Sequence, residues 1–282
     1  MLPPKFLTQL LPKAWLEQSR SEKALFKAFI SYAAGDAFGA FYEFNGIPQS
    51  VPNQLKAKSD WPLGGISDDT MLTVLTLRAL EEDDPDTAAL KFLELLKQNA
   101  KALRGLGPTT RMALGLEVKA NEVASVGATN GGLMRTCLAA MAFAEKERRD
   151  RWLRALVFST HKSEIAIRCA IELGDLIHDR QLVKGAVSLA SFPGGVSNSS
   201  EETLRAVKAI LSVSENLNDV FLKACALGGD TDTTAAVSSA IYSFWHGELD
   251  EIFSIPWLSE VNWSEVKEVP SALQMLYRRA IK

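Results

Sequence analysis

Hydrophobic residues recur at helical spacing along most of this chain. In the segments 71–80 and 235–245, apolar residues return every three or four positions, so that they line one face of a helix. Each segment follows a short polar turn with a pair of glycines just before it. No segment alternates convincingly between apolar and polar residues, and no Asn-Gly pair lies between two alternating runs. The pattern therefore predicts an all-α protein.

The same periodicity predicts further helices and separates them from one long connection. It begins firmly at Glu22, runs into a stretch of small residues around Asp36, and recurs at about 86–103 and 218–227. Residues 45–66 contain three prolines and form a loop that is long for a compact domain. Loops of this length are often functional.

A buried carboxylate is expected at Asp36, inside the small-residue stretch. A single buried aspartate is usually a hydrogen-bond acceptor for neighbouring groups, so we assign Asp36 a supporting role rather than direct contact with a ligand. Glu43 follows seven residues later, about two helical turns along, and would share the same helix face if the helix continues that far.

Length and composition indicate one large globular domain. The chain has 282 residues, of which 47% are hydrophobic and 23% charged, enough to bury a substantial core. We divide it into an extra N-terminal segment, residues 1–20, and a single compact helical domain, residues 21–282. The N-terminal segment has apolar residues spaced for a short amphipathic helix, and we expect it to dock onto the domain. An arm that binds a partner protein is the alternative.

Charge and cysteine content exclude several classes of function. A net charge of −3 gives no basic surface for nucleic acid or for an anionic membrane. No uncharged apolar run reaches the length of a transmembrane helix, and the N-terminus has no secretory signal pattern. The three cysteines cannot all pair and lie in apolar helical runs, which indicates reduced thiols in a cytoplasmic protein.

The strongest chemical signal is the turn Gly228-Gly229-Asp230-Thr231-Asp232-Thr233-Thr234, which precedes the apolar helix. An aspartate that caps a core helix is the simpler interpretation. A cap needs only one short polar residue, however, whereas this turn supplies two carboxylates and several hydroxyls. Carboxylates this close to a buried segment repel one another unless a cation or a substrate offsets their charge.

A second turn of the same kind, Ser67-Asp68-Asp69-Thr70, follows the glycine pair at 64–65 and opens the helix 71–80. Adjacent helical residues point about 100° apart, so Asp68 and Asp69 cannot serve one ligand in the same way. Two carboxylates at one helix start and an Asp-x-Asp at another suit two hard cations bound by oxygen. Such metal pairs, about 3.5–4 Å apart, activate water and hold substrate oxygens.

Three other polar positions are weaker candidates. Arg135, near the start of a helix, opposes the helix dipole there, so we expect it to pair with a carboxylate rather than to contact substrate. His161 precedes another helical run, where a lone histidine is more often a capping or packing residue than a catalytic one. The Gly-x-Gly loop at 105–107 could hold a phosphate, although such loops are common.

Taken together, these motifs resemble those of the ADP-ribosylglycohydrolase family, the relatives of the hydrolase that reactivates ADP-ribosylated dinitrogenase reductase. They occur in the family's order between residues 35 and 233, so the resemblance covers most of the chain. The Asp-Asp-Thr and Gly-Gly-Asp-Thr-Asp-Thr pair is highly specific. The matching stretches are Gly35-Asp36-Ala37-Phe38-Gly39-Ala40 with Glu43, Ser67-Asp68-Asp69-Thr70, Asn130-Gly131-Gly132-Leu133-Met134-Arg135, Thr160-His161, Glu202-Thr203-Leu204 and Gly228-Gly229-Asp230-Thr231-Asp232-Thr233.

The resemblance implies an orthogonal multi-helix fold with a binuclear magnesium site, for which Mn²⁺ is an alternative. Glu43 would lie at the mouth of this site, near the scissile bond. The implied metal ligands are Ser67, Asp68, Asp69, Asp230, Asp232 and Thr233. The implied substrate-binding residues are a loop around the diphosphate, Gly127, Ala128, Thr129, Asn130 and Gly131, and His161 against the ribose or the phosphates.

The implied activity is hydrolysis of the bond between ADP-ribose and a modified side chain, with arginine as the first acceptor to test. A metal-bound aspartate, Asp69 or Asp230, would accept the proton of the attacking water while Glu43 positions or gates the substrate. The expected partner is an ADP-ribosylated protein or a small ADP-ribosyl conjugate. Two alternatives stay open. One is hydrolysis of another ADP-ribosyl linkage, to serine, a phosphate ester or a nucleotide base; the other is a non-catalytic helical binding protein with a structural metal site.

Overall fold

The computed structural model describes residues 1–119, 126–182 and 187–281, the last residue by its backbone only. Throughout these ranges the regular elements are helices. The β-type pairing there consists of two isolated bridges, Thr129 with Ser199 and Val196 with Gly229. The predicted all-α fold class is confirmed. None of the described helices is long and apolar enough to cross a membrane.

The helices largely follow the predicted pattern. The α-helices in the described ranges are α1 (Arg20–Gly39), α2 (Asp68–Ala79), α3 (Pro85–Asn99), α4 (Pro108–Ala113), α5 (Gly131–Ala142), α6 (Lys146–Phe158), α7 (Glu164–Asp179), α8 (Ser200–Val213), α9 (Leu217–Leu227), α10 (Thr231–Trp245) and α11 (Val269–Ile281). The helix predicted at about 86–103 is α3, which ends earlier and continues as the 3₁₀ turn Ala100–Ala102. The helix predicted at 218–227 is α9.

Helices α1 and α10 pack so closely that small residues are required between them. A side-chain Cβ built on Gly35 would lie 2.6 Å from the Ala235 carbonyl oxygen, and one on Gly39 would lie 2.4 Å from that of Thr231. Both distances are too short for any residue larger than glycine. The end of α1 therefore lies against the start of α10, which brings the chain after α1 beside the second acidic turn.

Residues 1–20 dock onto the domain, but as two 3₁₀ turns, Lys5–Leu10 and Trp15–Glu17, rather than as the expected amphipathic helix. Pro12 lies between the turns, and its missing N–H and fixed φ interrupt helical hydrogen bonding there. The buried apolar side chains of the segment are Leu7, Leu10 and Trp15. The segment is therefore part of the hydrophobic core.

The chain after α10 packs back onto the domain through three 3₁₀ turns and α11, a helix that the sequence pattern did not predict. Trp257 stacks on Phe38 of α1, with ring centroids 4.7 Å apart. In α11, Arg279 donates from Nε to the Leu80 carbonyl oxygen at 3.0 Å, at the end of α2. The tail thus supports both α1 and α2.

Candidate functional site

An open cavity of about 230 Å³ lies where the starts of α2, α5 and α10 meet the chain after α1. The residues that line it are Glu43, Phe44, Asp68, Asp69, Gly105, Leu106, Gly107, Pro108, Thr110, Thr129, Asn130, Gly131, Met134, Asn198, Asp230, Asp232 and Thr233. All the aspartates of the two acidic turns are among them. The fold therefore brings together carboxylates that are far apart in the sequence.

Three of the cavity's carboxylates lie close enough to share a cation. Among the described residues, Glu43, Asp230 and Asp232 form a group whose ligand oxygens all lie within 4.8 Å of one another. Asp68 and Asp69 face the same cavity from the start of α2. Glu43 was expected only at the mouth of the metal site. Its carboxylate instead lies as close to Asp230 and Asp232 as a third ligand of the same cation would.

The first acidic turn is held in place by Asp36, which is fully buried in α1. Its carboxylate accepts hydrogen bonds from the Ser67 N–H at 3.1 Å, the Thr70 N–H at 3.1 Å and the Thr70 hydroxyl at 2.6 Å. The Ser67 hydroxyl accepts from the Asp69 N–H at 3.1 Å and so caps α2. The predicted supporting role of Asp36 is confirmed.

The second acidic turn is anchored through its backbone. The Asp230 N–H donates to the Val196 carbonyl oxygen at 2.7 Å. The Phe44 N–H donates to the Gly229 carbonyl oxygen at 2.7 Å. Gly229 has a φ of 76°, and a Cβ there would lie 2.0 Å from the Val196 oxygen, so only glycine is accommodated. The Asp230 side chain does not cap α10; its Oδ2 accepts from Nδ2 of Asn130 at 2.8 Å, so capping does not account for this aspartate.

Burial and mutual repulsion make the carboxylate cluster unfavourable without a counter-charge. Burial raises the pKa of Asp68, Asp69 and Asp232 well above the ordinary value for aspartate, and neighbouring carboxylates raise it further. Asp69 Oδ2 is buried and accepts no hydrogen bond within the described part of the chain. Such an oxygen is rare in proteins, and the oxygen-rich surroundings suit a hard cation such as Mg²⁺. The residues present therefore fit the metal site that the resemblance implies.

The loop 127–131 contributes only its second half to the cavity. The loop residues that line the cavity are Thr129, Asn130 and Gly131. Gly127 and Ala128 do not line it. The Gly127 N–H donates to the Thr109 hydroxyl at 2.9 Å, and the Ala128 carbonyl oxygen accepts from the Ser200 N–H at 3.1 Å. These two bonds fix the first half of the loop to α4 and α8.

His161 is fully buried and does not line the cavity. Its Nε2 lies 3.0 Å from the Thr129 hydroxyl, and its Nδ1 lies 2.8 Å from the Thr160 hydroxyl. Burial lowers the pKa of His161 to about 3, so the ring is neutral near pH 7. The structure therefore places His161 behind Thr129, where it orients a cavity-lining residue instead of facing the expected ribose or phosphates.

The prediction that Arg135 pairs with a carboxylate is wrong for the part of the chain that the structure describes. Its guanidinium donates to the Leu156 carbonyl oxygen at 2.6 Å and to the Thr160 hydroxyl at 3.0 Å. It also lies 4.0 Å from the centre of the Phe92 ring. Burial lowers the pKa of Arg135 to about 9. Carbonyl and hydroxyl oxygens, together with an aromatic face, thus take the place of the expected carboxylate.

The two hydroxyl residues expected among the metal ligands are placed differently. Thr233 lines the cavity, and its hydroxyl donates to the Met134 sulfur at 3.7 Å, a weak bond that a stronger interaction can replace. Ser67 does not line the cavity, because its hydroxyl is turned to the N–H that it caps. Of the two, Thr233 is therefore the one that faces the cavity.

Sequence reasoning missed Lys58, which lies in the long loop 45–66. Its ammonium forms an ion pair with the Glu43 carboxylate at the cavity. Burial and the charge of Asp230 raise the pKa of Glu43, and the contact with Lys58 acts in the opposite direction. The only signal in the sequence was the length of the loop, which indicated a function but not the residue.

Comparison with known proteins identifies the family. The family model described as ADP-ribosylglycohydrolase matches residues 17–205. A solved structure described as an ADP-ribosylglycohydrolase-related protein complex is similar to this chain, with a TM-score of 0.67 and 21% sequence identity over 93% of this chain and 99% of the other. No curated protein matches the sequence significantly.

This chain belongs to the ADP-ribosylglycohydrolase family. The matched range includes Glu43, the first acidic turn and the loop 127–131, whereas the second acidic turn lies beyond it. The structure brings that second turn into the same cavity. Family membership supports a hydrolase that acts on ADP-ribosyl linkages.

Proposed function

We propose that this protein is a magnesium-dependent hydrolase that releases ADP-ribose from a modified side chain or a small conjugate. The observation that carries the proposal is the meeting of two acidic turns in one cavity. Within the described ranges, a buried oxygen of Asp69 in this cavity has no protein partner. Family membership supports the ADP-ribosyl half of the substrate.

The oxygen atoms of the cavity are the proposed metal ligands. Asp68 and Asp69 from one turn, with Asp230, Asp232 and Thr233 from the other, would hold two Mg²⁺ ions or Mn²⁺ in their place. When bound, the ions lower the pKa of a water molecule and polarise the sugar oxygens beside it. A site for a single structural cation would not need carboxylates from two acidic turns.

The protein's own groups bind the substrate and take up a proton. Asp69 or Asp230, which both face the cavity, accepts the proton of the attacking water. The water oxygen bonds to the anomeric carbon as the bond from that carbon to the acceptor breaks, and the electron pair of that bond leaves with the acceptor. The residues from Thr129 to Gly131 face the same cavity at the start of α5, and the N-terminus of a helix suits an anionic diphosphate. Glu43, beside Asp230 and Asp232, holds the sugar in position.

Turnover with and without Mg²⁺ tests the proposal on a panel of ADP-ribosyl conjugates that differ only in the linked group. Arginine is the acceptor that the family resemblance suggests first, and serine and phosphate-ester conjugates complete the panel. We expect release of ADP-ribose that requires Mg²⁺ and stops in EDTA.

Thermal melting without substrate is the independent measurement. At a Mg²⁺ concentration about 100 times Kd, binding should add about 2.7 kcal/mol to the free energy of unfolding. Identical melts in Mg²⁺ and EDTA would contradict the metal site. A metal-dependent melt without turnover of any conjugate would indicate the non-catalytic binding protein instead.

A further inference from the structure

Lys58, Trp61 and Arg104 form a rim of cationic and aromatic side chains beside the cavity. The Lys58 ammonium lies 4.7 Å from the centre of the Trp61 ring, and the Arg104 guanidinium lies 5.1 Å from it. Lys58 contacts Glu43, and Arg104 directly precedes Gly105; both Glu43 and Gly105 line the cavity. The rim therefore borders the opening through which a large acceptor must project.

The two cations of the rim differ in their partners. Arg104 pairs with Glu265, with Nη2 and Oε1 2.5 Å apart, so its charge is balanced by a residue that does not line the cavity. Lys58 pairs with Glu43, which belongs to the carboxylate group of the cavity itself. Lys58 is thus the rim cation that reaches the reaction site.

The position and charge of Lys58 are both fixed by its surroundings. Its side chain is only 27% exposed and lies over the Trp61 ring. Partial burial lowers the pKa of Lys58, but the hydrogen bond and the charge of Glu43 outweigh this and raise it. A lysine with a carboxylate partner is an ammonium near neutral pH, and the contacts with Glu43 and Trp61 hold it in place.

The charge of the acceptor decides how it meets this ammonium. A guanidinium acceptor, as in ADP-ribosyl-arginine, is positive. The Lys58 ammonium would repel it, and the negative charge of the Glu43 carboxylate beside it is already balanced by Lys58. An acceptor linked through a phosphate oxygen is negative and gains charge as its bond breaks. An adjacent ammonium stabilises that charge.

We propose that Lys58 makes this hydrolase selective for ADP-ribosyl phosphate esters over ADP-ribosyl-arginine. The inference rests on the proposed function and replaces arginine as the first expected acceptor. In the reaction, the water oxygen bonds to the anomeric carbon, and the bond from that carbon to the phosphate oxygen breaks. The electron pair of the broken bond stays on the phosphate, and the water proton passes to a cluster carboxylate.

The test compares kcat/KM for ADP-ribose 1″-phosphate and for ADP-ribosyl-arginine, with Mg²⁺. We expect the wild type to prefer the phosphate by about tenfold or more, and Lys58→Met to lower the ratio of the two kcat/KM values by about tenfold. Lys58→Arg keeps the charge and should restore the preference. Lys56→Met is the matched control, because Lys56 lies in the same loop with its ammonium 5.0 Å from the Phe41 ring centre. Lys56→Met should leave the ratio of the two kcat/KM values unchanged.

Binding of inorganic phosphate in the presence of ADP-ribose gives a readout that does not depend on turnover. Lys58→Met should weaken phosphate binding about tenfold more than it weakens the binding of ADP-ribose. A wild-type preference for arginine, or a phosphate preference that survives Lys58→Met, overturns the proposal. If the wild type hydrolyses no conjugate of the panel, the proposed function fails as well, whereas turnover without the expected selectivity leaves that function standing.

Discussion

The two acidic turns of the site share a sequence pattern but are held by different means. Each follows glycines, carries two carboxylates and opens a buried helix. In the turn before α2, side chains fix the backbone, since Ser67 caps the helix and Asp36 accepts from the turn. In the turn before α10, backbone bonds to Val196 and Phe44 fix the chain, and the Asp230 side chain is free of any capping role.

The difference separates two tasks that look alike in the sequence. Asp36 organises a turn, lies outside the cavity lining and is satisfied by hydrogen bonds. Asp69 and Asp232 face the cavity, and burial and neighbouring carboxylates disfavour their charge. A buried carboxylate with its own donors can serve the fold, whereas a group of cavity-facing carboxylates is stabilised when a cation binds. Substitution of Asp36 should therefore affect folding, whereas substitution of a cavity-facing aspartate should affect metal-dependent activity.

Asp36→Ala should have the largest effect, because it removes the acceptor of several hydrogen bonds inside the core. The N–H groups of Ser67 and Thr70 would be left buried without a partner. We expect a loss of about 4 kcal/mol in the free energy of unfolding. Chemical denaturation in EDTA measures this loss without a contribution from metal.

Asp84→Ala is the matched control for this loss. Asp84 caps α3 at the surface through the N–H groups of Asp86 and Thr87, so its removal should cost only about 1 kcal/mol. Equal losses in Asp36→Ala and Asp84→Ala would mean that the first turn does not depend on its buried carboxylate.

Asp230→Asn should affect activity rather than folding. The substitution keeps the shape and an oxygen that can accept from Asn130, but it removes one negative charge from the group with Glu43 and Asp232. In EDTA the variant should be at least as stable as the wild type, because like-charge repulsion is relieved. With Mg²⁺, turnover should fall by about 10²–10³-fold, since metal binding weakens and the water is misplaced.

Apo melting and Mg²⁺-dependent turnover of the same Asp230→Asn protein distinguish the two interpretations of this residue. An asparagine caps a helix as well as an aspartate does, so a capping role predicts that neither quantity changes. Full activity of the variant would remove Asp230 from the site.

Features that depend on neighbouring residues could be predicted from the sequence. The hydrophobic period located the apolar runs 71–80 and 235–245, and α2 and α10 begin at Asp68 and Thr231, inside the polar turns just before these runs. The small residues around Asp36 predicted close helix approach and a buried acceptor, and both are present. These predictions needed no knowledge of which distant segments meet.

Features that depend on contacts between distant segments could not be predicted in the same way. The pairing of Lys58 with Glu43 and that of Asn130 with Asp230 join different parts of the chain, and no local pattern specifies either. The position of Arg135 at a helix start indicated that it needs a partner but not which kind. Its partners are oxygens in the last turn of α6 and just after this helix, which the fold places beside it.

The smallest expected effect concerns Ser67, which belongs either to the helix cap alone or also to the metal site. Its hydroxyl accepts from the Asp69 N–H, and Ser67 does not line the cavity. Ser67→Ala should cost about 1 kcal/mol of unfolding free energy, a typical value for a lost N-cap. If the hydroxyl only caps α2, the loss is the same in EDTA and in Mg²⁺, because the metal affinity is unchanged.

If the Ser67 hydroxyl also binds metal, the loss is larger in Mg²⁺ than in EDTA, since a weaker Mg²⁺ affinity reduces the stabilisation that binding adds. Ser67→Thr is the control, because threonine keeps both the cap and a hydroxyl oxygen. Denaturation of these two variants in both conditions therefore decides the assignment. An equal loss in Mg²⁺ and EDTA assigns Ser67, with Asp36, to the scaffold of the first turn, and leaves metal binding to the residues that face the cavity.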